Sequence, residues 1–423
     1  MTSAPRVVGV IIGCVMLLGG SRSLAQDWPQ WRGPNRDAIA TGFKAPKSWP
    51  KELTQKWKVT VGDGVATPAL LGDKLYVFAR QEGNEVIRCL DAATGRELWQ
   101  DKYETQGATG PAGGFAGPRS SPTVANGKVV TLGVRGMLSC LDAATGNKLW
   151  RKDDFRGAVP SFFTSSSPIV TDGLCIAQLG GRDNGAIVAD ELDSGDERWR
   201  WTGDSPAYSS PALMTVADTK LIIAMTERRI VAVGAADGKL VWETPFVASR
   251  GPGGYNAATP IVDGQTIIYT GSGRGAKAVR IEKSGDGFVA KEVWSNSEKS
   301  VMFNTPVLKN GLLFGLTQSN ELFCINAQNG QTAWSAPAGP AGGGGGGGGR
   351  MGRGGYGSIV DAGSVLLALT PGSQLIVFQP TDKEYSEQAR IKVANTPTYA
   401  YPVVSGNRIY VKDQDSMTLW TIE

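Results

Sequence analysis

Apolar residues along this chain come in short runs separated by turn dipeptides, and no stretch carries an apolar 3.6-residue period long enough for a helix. Residues 121–150 show the pattern. Ser121–Val124 is a short apolar run, and Asn126-Gly127 is a tight-turn dipeptide in which both positions tolerate positive φ. Val129–Val134 is a second run, rich in β-branched residues, and Arg135-Gly136 breaks it. Met137–Leu141 is a third run. Asp142–Gly146 is a turn with Asp as side-chain acceptor, and Asn147–Trp150 opens a fourth run. Four short antiparallel strands of this kind make one propeller blade.

The unit recurs. Leu90-Asp91-Ala92-Ala93-Thr94-Gly95 ends in Trp99, and Leu141-Asp142-Ala143-Ala144-Thr145-Gly146 ends in Trp150. Looser copies end at Trp199, Trp242, Trp294 and Trp334, at spacings of 51, 49, 43, 52 and 40 residues. Out of phase with it, a residue plus proline opens a short apolar run at Pro68, Pro122, Pro168, Pro211, Pro260, Pro306 and Pro402. A degenerate copy around Ser358-Ile359-Val360 fills the double gap before Pro402, which makes eight units. The last unit lacks a fourth strand, and Gln55–Val59 reads as a fourth strand without a blade. The fold class expected is therefore all-β: an eight-bladed β-propeller of four-stranded antiparallel blades over residues 53–423. The N-terminal strand closes the ring and removes a free edge. Small residues at the inner-strand starts, such as Ser120-Ser121-Pro122, suit a narrow axis.

Composition sets the compartment. Arg6, the apolar stretch Val7–Gly20 and Ser23-Leu24-Ala25 read as a secretory signal over residues 1–25, cleaved after Ala25. Cys14 within it is the alternative point of lipid attachment. An exported protein, periplasmic or extracellular and monomeric, is expected. The formal charge falls from +4 to +2 without Arg6 and Arg22, which suggests no nucleic-acid partner, and no other segment reads as a membrane span. Cys89, Cys140 and Cys324 occupy one slot in three blades, too far apart for disulfides, and with Cys175 read as apolar fillers. Residues 26–52, with Trp28 and Trp31, read as an arm packed on the ring. Residues 339–357, with the run Gly342–Gly349, read as a flexible inter-blade loop. Neither this run nor Gly271–Lys277 ends as a phosphate loop must.

The chain has no histidine, which removes Ser-His-Asp and Cys-His catalysis and His-based metal sites. Asp153-Asp154 and Asp413-x-Asp415 read as solvated turn acids, so no catalytic residue and no metal site is assigned. One constellation remains. A four-strand meander puts the loop between its second and third strands on the same face as the loops between blades. The first loops carry Arg80, Arg135, Arg182, Arg228 with Arg229, and Arg274. The second carry Phe115, Phe163, Tyr208, Tyr255, Phe303, Tyr356 and Tyr399, with Arg119, Asn256 and Asn304 beside them. Arginine forks suit carboxylates and phosphates, and aromatic faces suit flat ligands or sugars. The site is thus read as binding a protein, an anionic small molecule or a glycan.

The phrase Leu-Asp-Ala-x-Thr-Gly-x-x-x-Trp, with its proline-opened strand and Asn-Gly or Asp-Gly turn, resembles the tryptophan-docking repeat of pyrroloquinoline-quinone (PQQ) propellers. The segment Trp28-Pro29-Gln30-Trp31-Arg32-Gly33-Pro34 resembles the start of many secreted bacterial members. The resemblance implies that Trp99, Trp150, Trp199, Trp242, Trp294 and Trp334 are structural wedges between blades. It also implies one of two functions. One branch is similar to the non-catalytic propeller lipoprotein of the outer-membrane barrel assembly machinery, a binding or scaffolding module with no cofactor. The other holds quinoprotein dehydrogenases of alcohols or sugars, which carry PQQ and Ca²⁺. The chain lacks the adjacent Cys-Cys pair, the haem-attachment motif and the long insertions of that second branch, so the non-catalytic reading is the expectation.

Overall fold

Each repeat unit folds as a four-stranded antiparallel sheet, and eight such sheets make up the ring. The computed structural model describes residues 26–248, 255–285, 287–339 and 356–423. The segment read as a signal, with Cys14, and residues 340–355 of the glycine-rich stretch lie outside the described residues. Blades 1 to 7 follow chain order over residues 69–104, 123–152, 169–201, 212–245, 261–296, 307–337 and 358–392. Blade 8 joins residues 403–421 to the N-terminal strand Thr54–Thr60, whose Val59 lies opposite Met417 in an antiparallel pair. This is the closure that the incomplete last repeat required.

The tryptophan phrase holds neighbouring blades together. The indole N–H of Trp99 donates to Ala143 O, that of Trp150 to Leu192 O and that of Trp199 to Ala235 O, at 3.3, 3.0 and 3.0 Å. Trp294 and Trp334 donate in the same way to Ala327 O and Thr381 O. The turn that receives each ring explains the rest of the phrase. Asp142 Oδ1 accepts from Ala144 N, Thr145 N and the Thr145 hydroxyl, which holds its carboxyl below the usual range. Gly146 has φ 76, and a Cβ there would stand 2.5 Å from the Trp99 ring, so only glycine seats the wedge. Trp57 does the same for the closing blade, donating to Ala92 O. Trp242 meets the long hairpin of blade 5, which lacks the turn, and lies half-buried against it.

The residue before each proline has a task beyond being small. In six of the seven cases its hydroxyl accepts a backbone N–H from the preceding blade, the exception being Tyr401 before Pro402. Tyr401 N donates to Thr67 Oγ1, Thr67 N to Ser121 Oγ, and Ser121 N to Ser167 Oγ. Ser167 N donates to Ser210 Oγ, Ser210 N to Thr259 Oγ1, and Thr259 N to Thr305 Oγ1. A belt of hydroxyls thus runs around the axis. Two further expectations need correction or closure. Asp413 is not a solvated turn acid: it is 4% exposed and accepts Ser416 N at 2.8 Å. Cys89, Cys140, Cys175 and Cys324 are free and buried.

Candidate functional site

The two mouths of the central channel are closed by different chemistry. At the face of the inter-blade loops, aromatic rings meet over the axis. Phe162, Tyr208 and Tyr255 form one triangle with ring centroids 5.0 to 6.1 Å apart. Phe115, Tyr356 and Tyr399 form a second, at 4.8 to 6.0 Å. Phe303 joins them, 5.5 Å from Tyr255 and stacked 4.2 Å from Tyr356. All seven rings are half-buried, so each presents part of its surface outward. Arg119 ties the two triangles, donating Nη2 to Ala112 O and Phe115 O and Nη1 to Phe162 O. Burial lowers its pKa. The Tyr208 hydroxyl accepts Phe162 N at 3.0 Å, and burial raises its pKa to about 12.

Six of the seven aromatics read from the sequence meet in this canopy. Phe163 does not: it sits beneath, buried with Ala108, Ala112 and Val134 and covered by Arg135 at 5.2 Å, while its neighbour Phe162 takes the place in the canopy. Phe163 has φ 64, a sharp reversal that turns one phenylalanine up and the next down.

The arginines do not form a free cationic arc. Arg80 lies at the end of a strand and donates to Thr105 O at 2.6 Å. Arg135 donates to Gln106 O at 3.0 Å, bridging to the loop after blade 1. Arg182 faces Glu227 at 3.6 Å, and Arg228 and Arg229 face the buried carboxylate of Asp204 at 3.0 and 3.7 Å. Arg274 lies 3.9 Å over Phe246 and donates to Phe246 O, and burial lowers its pKa to about 10. Asn256 Nδ2 donates to Thr226 O and Phe246 O, and Asn304 Nδ2 to Leu316 O. These side chains fix loops to one another, and the two that cover rings, Arg135 and Arg274, cover Phe163 and Phe246 outside the canopy. Beside the canopy, Asp63, Val65, Phe115, Pro397, Tyr399 and Gln414 line a cavity of about 190 Å³.

At the other mouth, the arm 26–52 fills the axis. Trp28, 0% exposed, pairs its backbone with Leu70 in blade 1, and Ala38 and Ala40 pair with Asp361 in blade 7. Arg36 enters the channel and donates to Ser167 O and Pro211 O at 3.3 and 2.8 Å and to Pro168 O. Its Nε is held by Gln30. Arg32 reaches Pro306 O at 2.8 Å in blade 6. Sequence reasoning missed both arginines, although Trp-Arg-Gly-Pro-Asn-Arg is a compact signal for a turn that aims two cations at one point.

The resemblance raises calcium and PQQ as ligands of this face. Among the described residues no group of three or more His, Cys, Asp or Glu is placed to hold a metal ion. The rings over the mouth also touch one another, and Arg119 aims its terminal nitrogens at backbone carbonyls rather than outward. Among the described residues no helix is long and apolar enough to cross a membrane.

Comparison with known proteins gives two groups. A family model described as outer membrane protein assembly factor BamB matches residues 83–336. BamB from Yersinia pestis is 23% identical over 296 residues, which cover 66% of this chain and 70% of that protein. A quinohemoprotein alcohol dehydrogenase from Comamonas testosteroni is 29% identical over 157 residues, covering 36% of this chain and only 22% of the dehydrogenase. Among solved structures, BamB from Moraxella catarrhalis aligns with a TM-score of 0.63 at 16% identity, over 88% of this chain and 98% of that one. The Comamonas testosteroni dehydrogenase aligns at 0.62 and 16%, over 93% and 80%. Both structures share the fold.

Proposed function

Because the chain belongs to the outer membrane protein assembly factor BamB family, we propose that it is a non-catalytic scaffold. It is exported to the periplasm and binds protein through the aromatic canopy. The observation that carries the reading is the canopy itself. Seven half-buried rings in mutual contact form a rigid platform, whose supporting arginines are committed to the loops beneath. Half-exposed Tyr and Phe side chains with few rotamers are the residue types that anchor protein interfaces. The partner proposed is therefore a protein that inserts apolar side chains among these rings, within the machinery for which the family is named. An anionic small molecule is disfavoured, because Arg80, Arg119 and Arg135 donate to backbone carbonyls and Arg182, Arg228 and Arg229 already face carboxylates.

The test is recovery of outer-membrane assembly components with a tagged chain. Tyr255→Ser with Phe303→Ser should abolish recovery while the variant retains its circular dichroism spectrum and a cooperative melt. Equal recovery by parent and variant would remove the canopy from the proposal. The dehydrogenase alternative is tested separately by adding PQQ and Ca²⁺ to purified protein with an alcohol or aldose and a redox dye. No dye reduction is expected, and turnover would overturn the non-catalytic reading.

A further inference from the structure

Arg32 and Arg36 enter the channel from the same arm and end differently. Arg36 places donors on four oxygens, from Gln30, Ser167, Pro168 and Pro211. Arg32 is 1% exposed, yet it bonds only through Nη2, to Asp37 O and Pro306 O. Its Nε and Nη1 have no partner, and neither has Nε1 of the buried Trp28. The unpartnered buried side-chain atoms of the arm are thus all donors. Every oxygen that the two guanidinium groups touch is a carbonyl or an amide. Asp37 itself offers Arg32 its backbone carbonyl. The Asp37 carboxylate acts on the Arg32 charge through space but makes no hydrogen bond to it, and a buried donor left without a hydrogen bond is costly.

A second observation places the deficit. The hydroxyl belt runs from Tyr401 through Thr67 and on to Thr305, and it breaks at blade 7. Ser358 stands in the belt position there, 2% exposed, and its Oγ has no partner. The Tyr401 hydroxyl spans the break to Thr305 O at 3.1 Å. Arg32 touches both sides of the same break: blade 6 at Pro306 O, and blade 8 through the Tyr401 ring at 5.7 Å.

We propose that a small inorganic anion of chloride size is bound at the blade 7 break of the hydroxyl belt, held by the free N–H groups of Arg32 and by the hydroxyl of Ser358. An anion only accepts, which matches the surplus of donors that the arm brings. A water molecule would add two protons of its own to a place already rich in donors. The ion would complete the plug by linking the arm to the one blade where the belt fails.

The probe is halide. The full chain is melted at constant ionic strength while methanesulfonate is exchanged for chloride or bromide, and a saturable rise in midpoint is expected. Arg32→Gln should lose the response, and Ser358→Ala should shift its half-saturation to at least several-fold higher halide. Crystals of the parent protein soaked in bromide should show an anomalous peak within hydrogen-bonding distance of Arg32 Nε or Nη1. A midpoint indifferent to halide overturns the proposal, and so does a bromide peak elsewhere or none. If Arg32→Gln fails to fold, the Ser358→Ala titration and the bromide peak still decide.

Discussion

The two mouths of the channel solve one problem in opposite ways. Inner strands converge on an axis too narrow for bulk, and the carbonyls at their starts need donors. At the arm mouth these carbonyls receive guanidinium donors from Arg32 and Arg36, and a fully buried Trp28 seals the plug. At the canopy mouth, aromatic rings lean together and keep half their surface in solvent. The first closure satisfies polar groups of the scaffold itself. The second leaves apolar surface unspent, which a structure built only for stability would bury. On this difference we propose that the arm mouth serves folding and the canopy mouth recognition, and the same difference ranks the effects of substitution.

The largest effect is expected at the arm mouth. Trp28→Ala should destabilise the ring by about 3–5 kcal/mol, the usual cost of truncating a fully buried tryptophan. Urea denaturation measures it. Arg36→Ala should follow at about 2–3 kcal/mol, because several buried carbonyls lose their donor at once. A loss below about 1 kcal/mol for both would mean that the arm lies on the ring without stabilising it.

The next effect is a pH dependence at the ring closure. Lys412, on the last blade, is buried and donates Nζ to Gly62 O, Asp413 O and Gln414 O. Burial lowers its pKa to about 8, with Asp413, Asp63 and Asp415 opposing the shift. The unfolded chain therefore holds this proton up to the ordinary lysine range, while the folded chain releases it sooner. Stability therefore rises with pH between about 8 and 10.5 by roughly 2 kcal/mol from this group, and the gain is lost as pH falls back from 10.5 to 8. Lys412→Met should remove this slope. An unchanged difference between parent and variant melts at pH 8 and pH 10 would refute the assignment.

These rankings also bear on what was legible in the amino-acid sequence. The blades, the closing strand and the tryptophan wedges were legible because each rests on residues within one repeat: Asp142 caps its own turn, and Gly146 follows it by four positions. The arm plug was not. Arg32 meets Pro306 across 274 residues, and nothing local to Trp-Arg-Gly-Pro-Asn-Arg says which carbonyls it will find. The canopy was legible as a set of aromatics placed before inner strands, but not in its detail. Phe162 and Phe163 are neighbours, and only the backbone reversal at Phe163 decides which one rises into the canopy. Trp57 was missed as a wedge because it stands on the closing strand, far along the chain from the rest of its blade and with no Leu-Asp-Ala-x-Thr-Gly phrase before it.

The smallest effects distinguish arginines that look alike in sequence. Arg182 and Arg274 both sit in loops between second and third strands, and both were read as members of one cationic arc. Arg182 is a solvated side chain facing Glu227 at 3.6 Å, with 77% of its side chain exposed. Arg274 lies on the Phe246 ring at 3.9 Å and donates to Phe246 O. An exposed ion pair of that kind contributes little, whereas a cation held on an aromatic face with a hydrogen bond contributes more. Arg274→Ala should therefore cost about 1–2 kcal/mol in denaturant, and Arg182→Ala less than about 0.5 kcal/mol. The Phe246–Arg274 contact supports the loop just before blade 5, so Arg274→Ala should also weaken binding at the canopy through Tyr255. Arg182→Ala should leave that binding intact. If Arg182→Ala abolishes recovery of the partner while Arg274→Ala does not, the face recognises its partner through charge after all, and the contrast between the two mouths loses its meaning.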